Sequence, residues 1–227
     1  MEREIEVHAY HGWGFDAQFW NPIRTVLSDH ILFKSADKGY FGGEFIPEFD
    51  QHSKVKVLLL HSYGLHWCPL EKIEQADIVI ILNGFNSFHP YENPAKSRSK
   101  KILKGMVNQF KKEPKVVLNA FYTNCFGSIV KMDEPDLKWI NRSLLLKDLN
   151  HLHKTMLKLS SQSIADWLII DSEKDRIVPG CRGQELLAYL GADKYQKMKH
   201  GVHGFPVINP EECIKIISEA FPIFDRK

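Results

Sequence analysis

Apolar residues fall along the chain in short consecutive runs, each followed by a stretch with helical spacing. Ile5–Tyr10, Ile31–Ser35, Val55–Leu60, Ile78–Leu82 and Trp167–Ile170 read as strands, and Tyr195–Lys199 as a more polar edge strand. Several runs are apolar at consecutive positions rather than alternate ones, the pattern of strands covered on both faces. Helical spacing covers Asp16–Leu27, Gly64–Gln75, Gly180–Leu190 and Pro210–Ala220, with Pro179 and Pro210 where a first helical turn tolerates proline. This alternation predicts an α/β fold: a mostly parallel central sheet of about six strands with helices on both faces.

One region interrupts the alternation. From Phe88 to Leu149 the chain carries prolines, lysines and helical patches, with a single weak strand-like run at Val116–Leu118. It separates two strands of the sheet and reads as an inserted helical cap (88–149) over a core formed by 1–87 and 150–227. Its cations cluster: Lys96, Arg98, Lys100, Lys101, Lys104, Lys111, Lys112 and Lys115 surround the single acid Glu113. Such a run is most simply a solvated helix face. A docking surface for an acidic partner is the sharper alternative.

Composition narrows the function classes. A hydrophobic share of 44% and a charged share of 26% suit a globular protein. A net charge of +2 gives no general attraction to nucleic acid. No apolar run approaches the roughly 18 residues that span a bilayer, and the opening MEREIEVHAY is charged and alternating, unlike a signal peptide. Cys68, Cys125, Cys181 and Cys213 are scattered without CxxC spacing, so free thiols in a reducing cytoplasm are expected, with no metal and no cofactor. A monomer is the expected state.

In open α/β sheets the ligand crevice lies at the carboxyl ends of the strands. HGWG (His11–Gly14) follows the first strand, Ser62 the third, DSEKDRIVP (Asp171–Pro179) the fifth, and KHGVHGF (Lys199–Phe205) the last. A serine, an acid and a histidine thus arrive at strand ends in the order of a hydrolase triad. A serine hydroxyl needs a histidine to take its proton, and the histidine needs a carboxylate to fix its tautomer. The oxyanion formed on attack needs backbone N–H donors. The spacing leaves Asp171 and Asp175 as alternative acids, and His200 and His203 as alternative bases.

Taken together, these segments resemble the α/β-hydrolase superfamily. Within it the chain is similar to the pimeloyl-[acyl-carrier protein] methyl ester esterases of biotin synthesis. The likeness is carried by HGWGFDAQFWNPI (His11–Ile23), ADKGYFGGE (Ala36–Glu44), VLLLHSYGL at the nucleophile turn, KDRIVP (Lys174–Pro179), and GVHGF with NPEEC (Gly201–Cys213). The resemblance implies Ser62 as nucleophile, Asp175 as acid, His203 as base, and the backbone amides of Trp13 and Tyr63 as oxyanion donors. Trp13 and His61 are candidate substrate-pocket residues, His61 as a pocket wall or alternatively a buried partner. The resemblance also implies a cap whose basic residues, with Lys100, Lys101 and Lys104 as candidates, hold an acidic acyl-carrier protein; small esters are the other expected partners. Three positions depart from the pattern: Leu60 and Leu65 replace glycines around the nucleophile, and Ser172 stands where the acid turn often has glycine. The two antiparallel strands that open the full fold are also expected to be missing.

Overall fold

The computed structural model describes residues 5–127, 139–158, 165–178, 182–192 and 194–225. Six strands form one sheet in the order β2-β1-β3-β4-β5-β6: β1 Ile5–Tyr10, β2 Ile31–Ser35, β3 Val55–His61, β4 Ile78–Leu82, β5 Asp166–Ser172 and β6 Lys194–Met198. Every neighbouring pair is parallel. The central strands β3 and β4 are nearly or wholly buried along their length, which explains their unbroken apolar sequence.

The order reverses at β1. The chain steps from β1 outward to β2, then crosses back to β3 and proceeds through β4 and β5 to β6. Right-handed crossovers therefore put the early helix on one face and the later ones on the other. Helix α1 (Asn21–Val26) packs with α8 (Phe205–Ile208) and α9 (Pro210–Ala220). Helices α2 (Gly64–Trp67) and α3 (Leu70–Gln75) pack on β3, and α7 (Arg182–Leu190) on β5. The reversal between β2-β1 and β3 opens a crevice at the carboxyl ends of β1 and β3, where HGWG and Ser62 lie.

Helices α4 (Ala95–Lys112), α5 (Pro114–Phe126) and α6 (Arg142–His151) lie between β4 and β5 in the chain. The strand-like run at Val116–Leu118 is inside α5. Pro114 starts that helix, and Val117, Leu118, Phe121, Tyr122 and Cys125 bury one helical face. Trp13 ties this layer to the core. Its ring meets Phe110 of α4 and Phe121 of α5 edge-on, and its indole N–H donates to the Leu145 carbonyl of α6 at 2.9 Å.

Several element boundaries differ from the sequence pattern. Strand β3 runs one residue further, through His61, and β5 spans Asp166–Ser172 rather than Trp167–Ile170. The helix expected over Gly64–Gln75 divides at Pro69, which cannot donate to the preceding turn. Asp16–Leu27 divides into a 3-10 turn, Ala17–Trp20, and α1. The last strand is shifted by one residue from Tyr195–Lys199. The expected start of α7, with Pro179, Gly180 and Cys181, lies outside the described residues; Cys68, Cys125 and Cys213 are buried free thiols. No helix among the described residues is long and apolar enough to cross a membrane, and no cluster of potential metal ligands occurs among them.

Candidate active site

Ser62 stands at the break between β3 and α2 with φ 53°, in the left-handed region that bulky residues rarely adopt. Its N–H donates to the Leu82 carbonyl at 2.9 Å, so the turn stays attached to β4. Gly64 makes the sharp turn possible. A methyl group there would lie 2.3 Å from the Tyr10 carbonyl oxygen at the end of β1. Leu60 makes no comparable approach: it remains a regular strand residue between Tyr10 and Ile81, fully buried. The close approach at this turn falls on Gly64.

His203 and Asp175 meet at the same end of the sheet. The Asp175 carboxylate accepts the His203 Nδ1–H at 2.7 Å, with both side chains almost entirely buried. The other carboxylate oxygen accepts the Ile177 and Val178 amides at 2.7 and 2.8 Å, which fixes its orientation. With Nδ1–H committed to Asp175, Nε2 is the nitrogen left to accept a proton. Among the described residues no hydrogen bond joins Ser62 Oγ to the His203 ring, a contact that is often long before substrate binds. Asp171, the alternative acid, is buried and makes no hydrogen bond to His203 among the described residues. It accepts from the Tyr195 hydroxyl at 3.2 Å, and burial foremost raises its carboxyl to about 6.

Two further side chains hold the His203 backbone. His61 Nε2–H donates to the His203 carbonyl at 2.9 Å, and the amide of Asn83 donates to the same carbonyl at 2.9 Å and to that of Val202 at 3.3 Å. Asn83 Oδ1 accepts the Ser172 amide at 2.8 Å, and Asn83 itself has φ 50°. It therefore joins the ends of β4 and β5 to the histidine loop. Sequence reasoning passed over it. His61 is fully buried, stacked on Phe19 beneath His203, and it does not line the cavity as a substrate-pocket residue would. Burial, then the neighbouring His203, holds its pKa well below the usual histidine value.

The HGWG turn is locked from the second strand's side. The backbone amide of Lys38 donates to His11 Nε2 at 3.1 Å, so His11 carries its proton on Nδ1 and gives it to the Gly12 carbonyl at 2.8 Å. Burial pushes His11 down to about 4, consistent with a neutral ring. Among the described residues the amides of Trp13 and Tyr63 have no intramolecular acceptor. Between the sheet and helices α4, α5 and α6 lies a cavity of about 360 Å³ reached by Ser62, Tyr63 and Trp13. Phe85, Phe88, Leu103, Met106, Phe121 and Leu149 make most of its wall apolar, and Arg176 supplies a cation. Lys100, Lys101 and Lys104 are on the exposed side of α4 and do not line this cavity.

No protein-family model matches the chain, and no curated protein sequence does either. Solved structures do. An esterase from Exiguobacterium antarcticum superposes with a TM-score of 0.76 at 14% identity, over 95% of this chain and 91% of that one. An enol-lactonase from Burkholderia xenovorans gives 0.71 at 13% identity, covering 95% and 90%. A bromoperoxidase from Bacillus anthracis gives 0.60 at 16%, covering 98% and 92%. At these identities the likeness is one of fold, and that fold is the α/β-hydrolase fold.

Proposed function

We propose that this chain is a serine carboxylesterase. The observation that carries the reading is the Asp175–His203 pair, buried and oriented, at the strand-end crevice that also holds Ser62 on its left-handed turn. In this reading Ser62 Oγ attacks the ester carbonyl carbon while His203 Nε2 takes the hydroxyl proton. The Trp13 and Tyr63 amides stabilise the oxyanion. Collapse breaks the bond to the alcohol, which leaves with the proton from His203. Water, deprotonated by the same ring, then releases the acid from the acyl-enzyme. Asp175 holds the ring and stabilises its imidazolium form. Esterase and enol-lactonase structures on the same fold are consistent with this chemistry.

The finer reading is a methyl esterase for a pimeloyl chain carried on acyl-carrier protein, in biotin synthesis. Two features support it beyond the sequence likeness. The cavity is mostly apolar, suited to an acyl chain. The exposed lysines of α4 offer charge complementary to an acidic carrier.

A serine-directed fluorophosphonate should label Ser62, as located by mass spectrometry. Ser62→Ala should abolish hydrolysis of a short p-nitrophenyl ester; unchanged turnover would refute the nucleophile. Comparing pimeloyl-carrier-protein methyl ester with small synthetic esters tests the substrate. Reversing Lys100, Lys101 and Lys104 to glutamate should slow only the carrier-bound ester, and equal effects on both would remove the docking role.

A further inference from the structure

A second cavity, of about 730 Å³, opens on the other side of Tyr63. Tyr63 lines both chambers, so the residue that follows Ser62 is the partition between them. The two differ in character. The first is mostly apolar, whereas the second is walled by Lys38, Lys147, Lys154, His66, His151 and His153. Lys147, His151 and Lys154 follow one another at spacings of four and three, so one face of α6 and the turn after it presents all three.

These cations have little internal compensation. Among the described residues Lys147 and Lys154 form no ion pair, and Lys38 makes only a cation–π contact, 5.4 Å above the Trp67 ring. Asp148 is the one acidic residue in the wall, its buried carboxylate accepting the Tyr40 hydroxyl at 2.7 Å, so three lysines face a single carboxylate. The imidazoles are held in place from behind. His66 Nε2–H donates to the Phe85 carbonyl at 2.8 Å, His151 Nδ1 hydrogen-bonds the Tyr63 hydroxyl at 3.0 Å, and His153 Nδ1 hydrogen-bonds His89 Nε2 at 3.1 Å. Burial pushes His66 down to about 4 and also lowers His153, so near neutral pH these two rings are uncharged and the lysines supply the field.

The geometry points to a second binding site, in the chamber behind Tyr63, that takes an anionic group, phosphate or carboxylate. The lysine ammoniums supply charge and the histidine and tyrosine side chains fixed polar atoms. The anion site does not depend on the esterase reading.

The test is a binding titration of the full-length chain, isotopically labelled, with inorganic phosphate in one arm and succinate in another. It follows the Trp67 indole and the His151 and His153 rings by NMR at low ionic strength. Saturable shifts at those three residues are expected, weakened by added salt. Tighter phosphate binding assigns a phosphoryl ligand, and tighter succinate binding a carboxylate. Lys147→Glu with Lys154→Glu should weaken binding by roughly tenfold, since the reversals turn attraction to repulsion. Both lysines are exposed, so the fold should persist, and an unchanged thermal midpoint checks this. Absence of saturation in the unsubstituted chain, or equal affinity in the folded charge-reversed variant, overturns the proposal. Ser62→Ala should bind phosphate as the parent does, so loss of the esterase reading and loss of the anion site are separate results.

Discussion

Asn83 has a larger positional role than its place in the sequence suggests. It ends β4 in a left-handed conformation, and its amide reaches the carbonyls of Val202 and His203, about 120 positions away. Its oxygen meanwhile holds the Ser172 amide beside the acid turn. Asn83→Asp keeps the shape and the acceptor but sets a carboxylate against two carbonyls. Under the esterase reading, kcat should fall roughly a hundredfold through a displaced His203, with KM little changed. The pH at which activity rises should also move. A kcat within about twofold of the parent, with the same pH profile, would remove the positioning role. Ser62, the acid turn and the histidine loop were legible because each follows an apolar run, and strand ends gather at one side of a parallel sheet. Asn83 was not, because nothing local marks an asparagine whose partners arrive from another crossover. The burial of His61 was ambiguous for a related reason: it depends on β3 continuing one residue past the apolar run.

At the scale of the element, the turn from β3 to α2 decides whether Ser62 is presented at all. A leucine at position 60 looks like a defect against the family pattern, yet its side chain is core and its backbone is paired on both sides. Leu60→Gly should therefore destabilise the chain by about 2–5 kcal/mol, as loss of a buried leucine side chain does, and should not improve turnover. Gly64→Ala forces a methyl group toward the backbone of β1 and should cost about 1–3 kcal/mol while reducing activity. Urea unfolding with parallel ester assays separates the two. Higher kcat/KM for Leu60→Gly at unchanged stability would mean that the leucine does distort the turn. The buried strands were legible for the reason Leu60 is tolerated: central parallel strands are apolar throughout. Their polar extensions were less so. β5 runs on through Asp171 and Ser172 because β6 pairs with them, a fact no local pattern carries. Val116–Leu118 misleads in the opposite sense, since three apolar residues fit a strand or a helix until Pro114 and Phe121 set the period.

Across the whole molecule, buried imidazoles tie stability to pH. His8, His11, His66 and His89 are each pushed down from 6.5 to about 4, with burial the largest cause, and His61 is also held low. Between those values the unfolded chain binds protons that the folded chain refuses. Stability therefore falls as pH drops from about 6.5 toward 4, by about 1.36 kcal/mol per pH unit for each excess proton on the unfolded chain. Asp171 acts in the other direction. Its raised carboxyl takes up a proton near pH 6, where an unfolded aspartate stays ionised, so it adds stability on acidification. Burial raises the carboxyls of Asp16 and Glu185 as well, and it lowers His153. Three carboxyls do not offset six rings, and the net slope should be positive. Further down, Glu6 contributes in the same sense as the histidines. Burial alone would raise its carboxyl, but Lys34, Ser53, the Asp50 amide and His8 hold it at about 2, so its stabilisation is lost below about pH 4.5. This network lies under the amino end of β1, where it fastens the loop carrying Phe49, whose ring stacks on His8 at 3.8 Å. The urea midpoint should hold nearly level between about pH 7 and pH 8, decline steadily from about pH 6.5 to pH 4.5, and fall again at alkaline pH, where burial keeps the Cys68, Cys125 and Cys213 thiols protonated in the folded chain only. His8→Phe should flatten part of that decline by removing one of the titrating rings while keeping the stack on Phe49. A midpoint that is level from about pH 7 to pH 5 in the parent chain would show that these rings are protonated in the folded state, and that their burial does not hold them neutral.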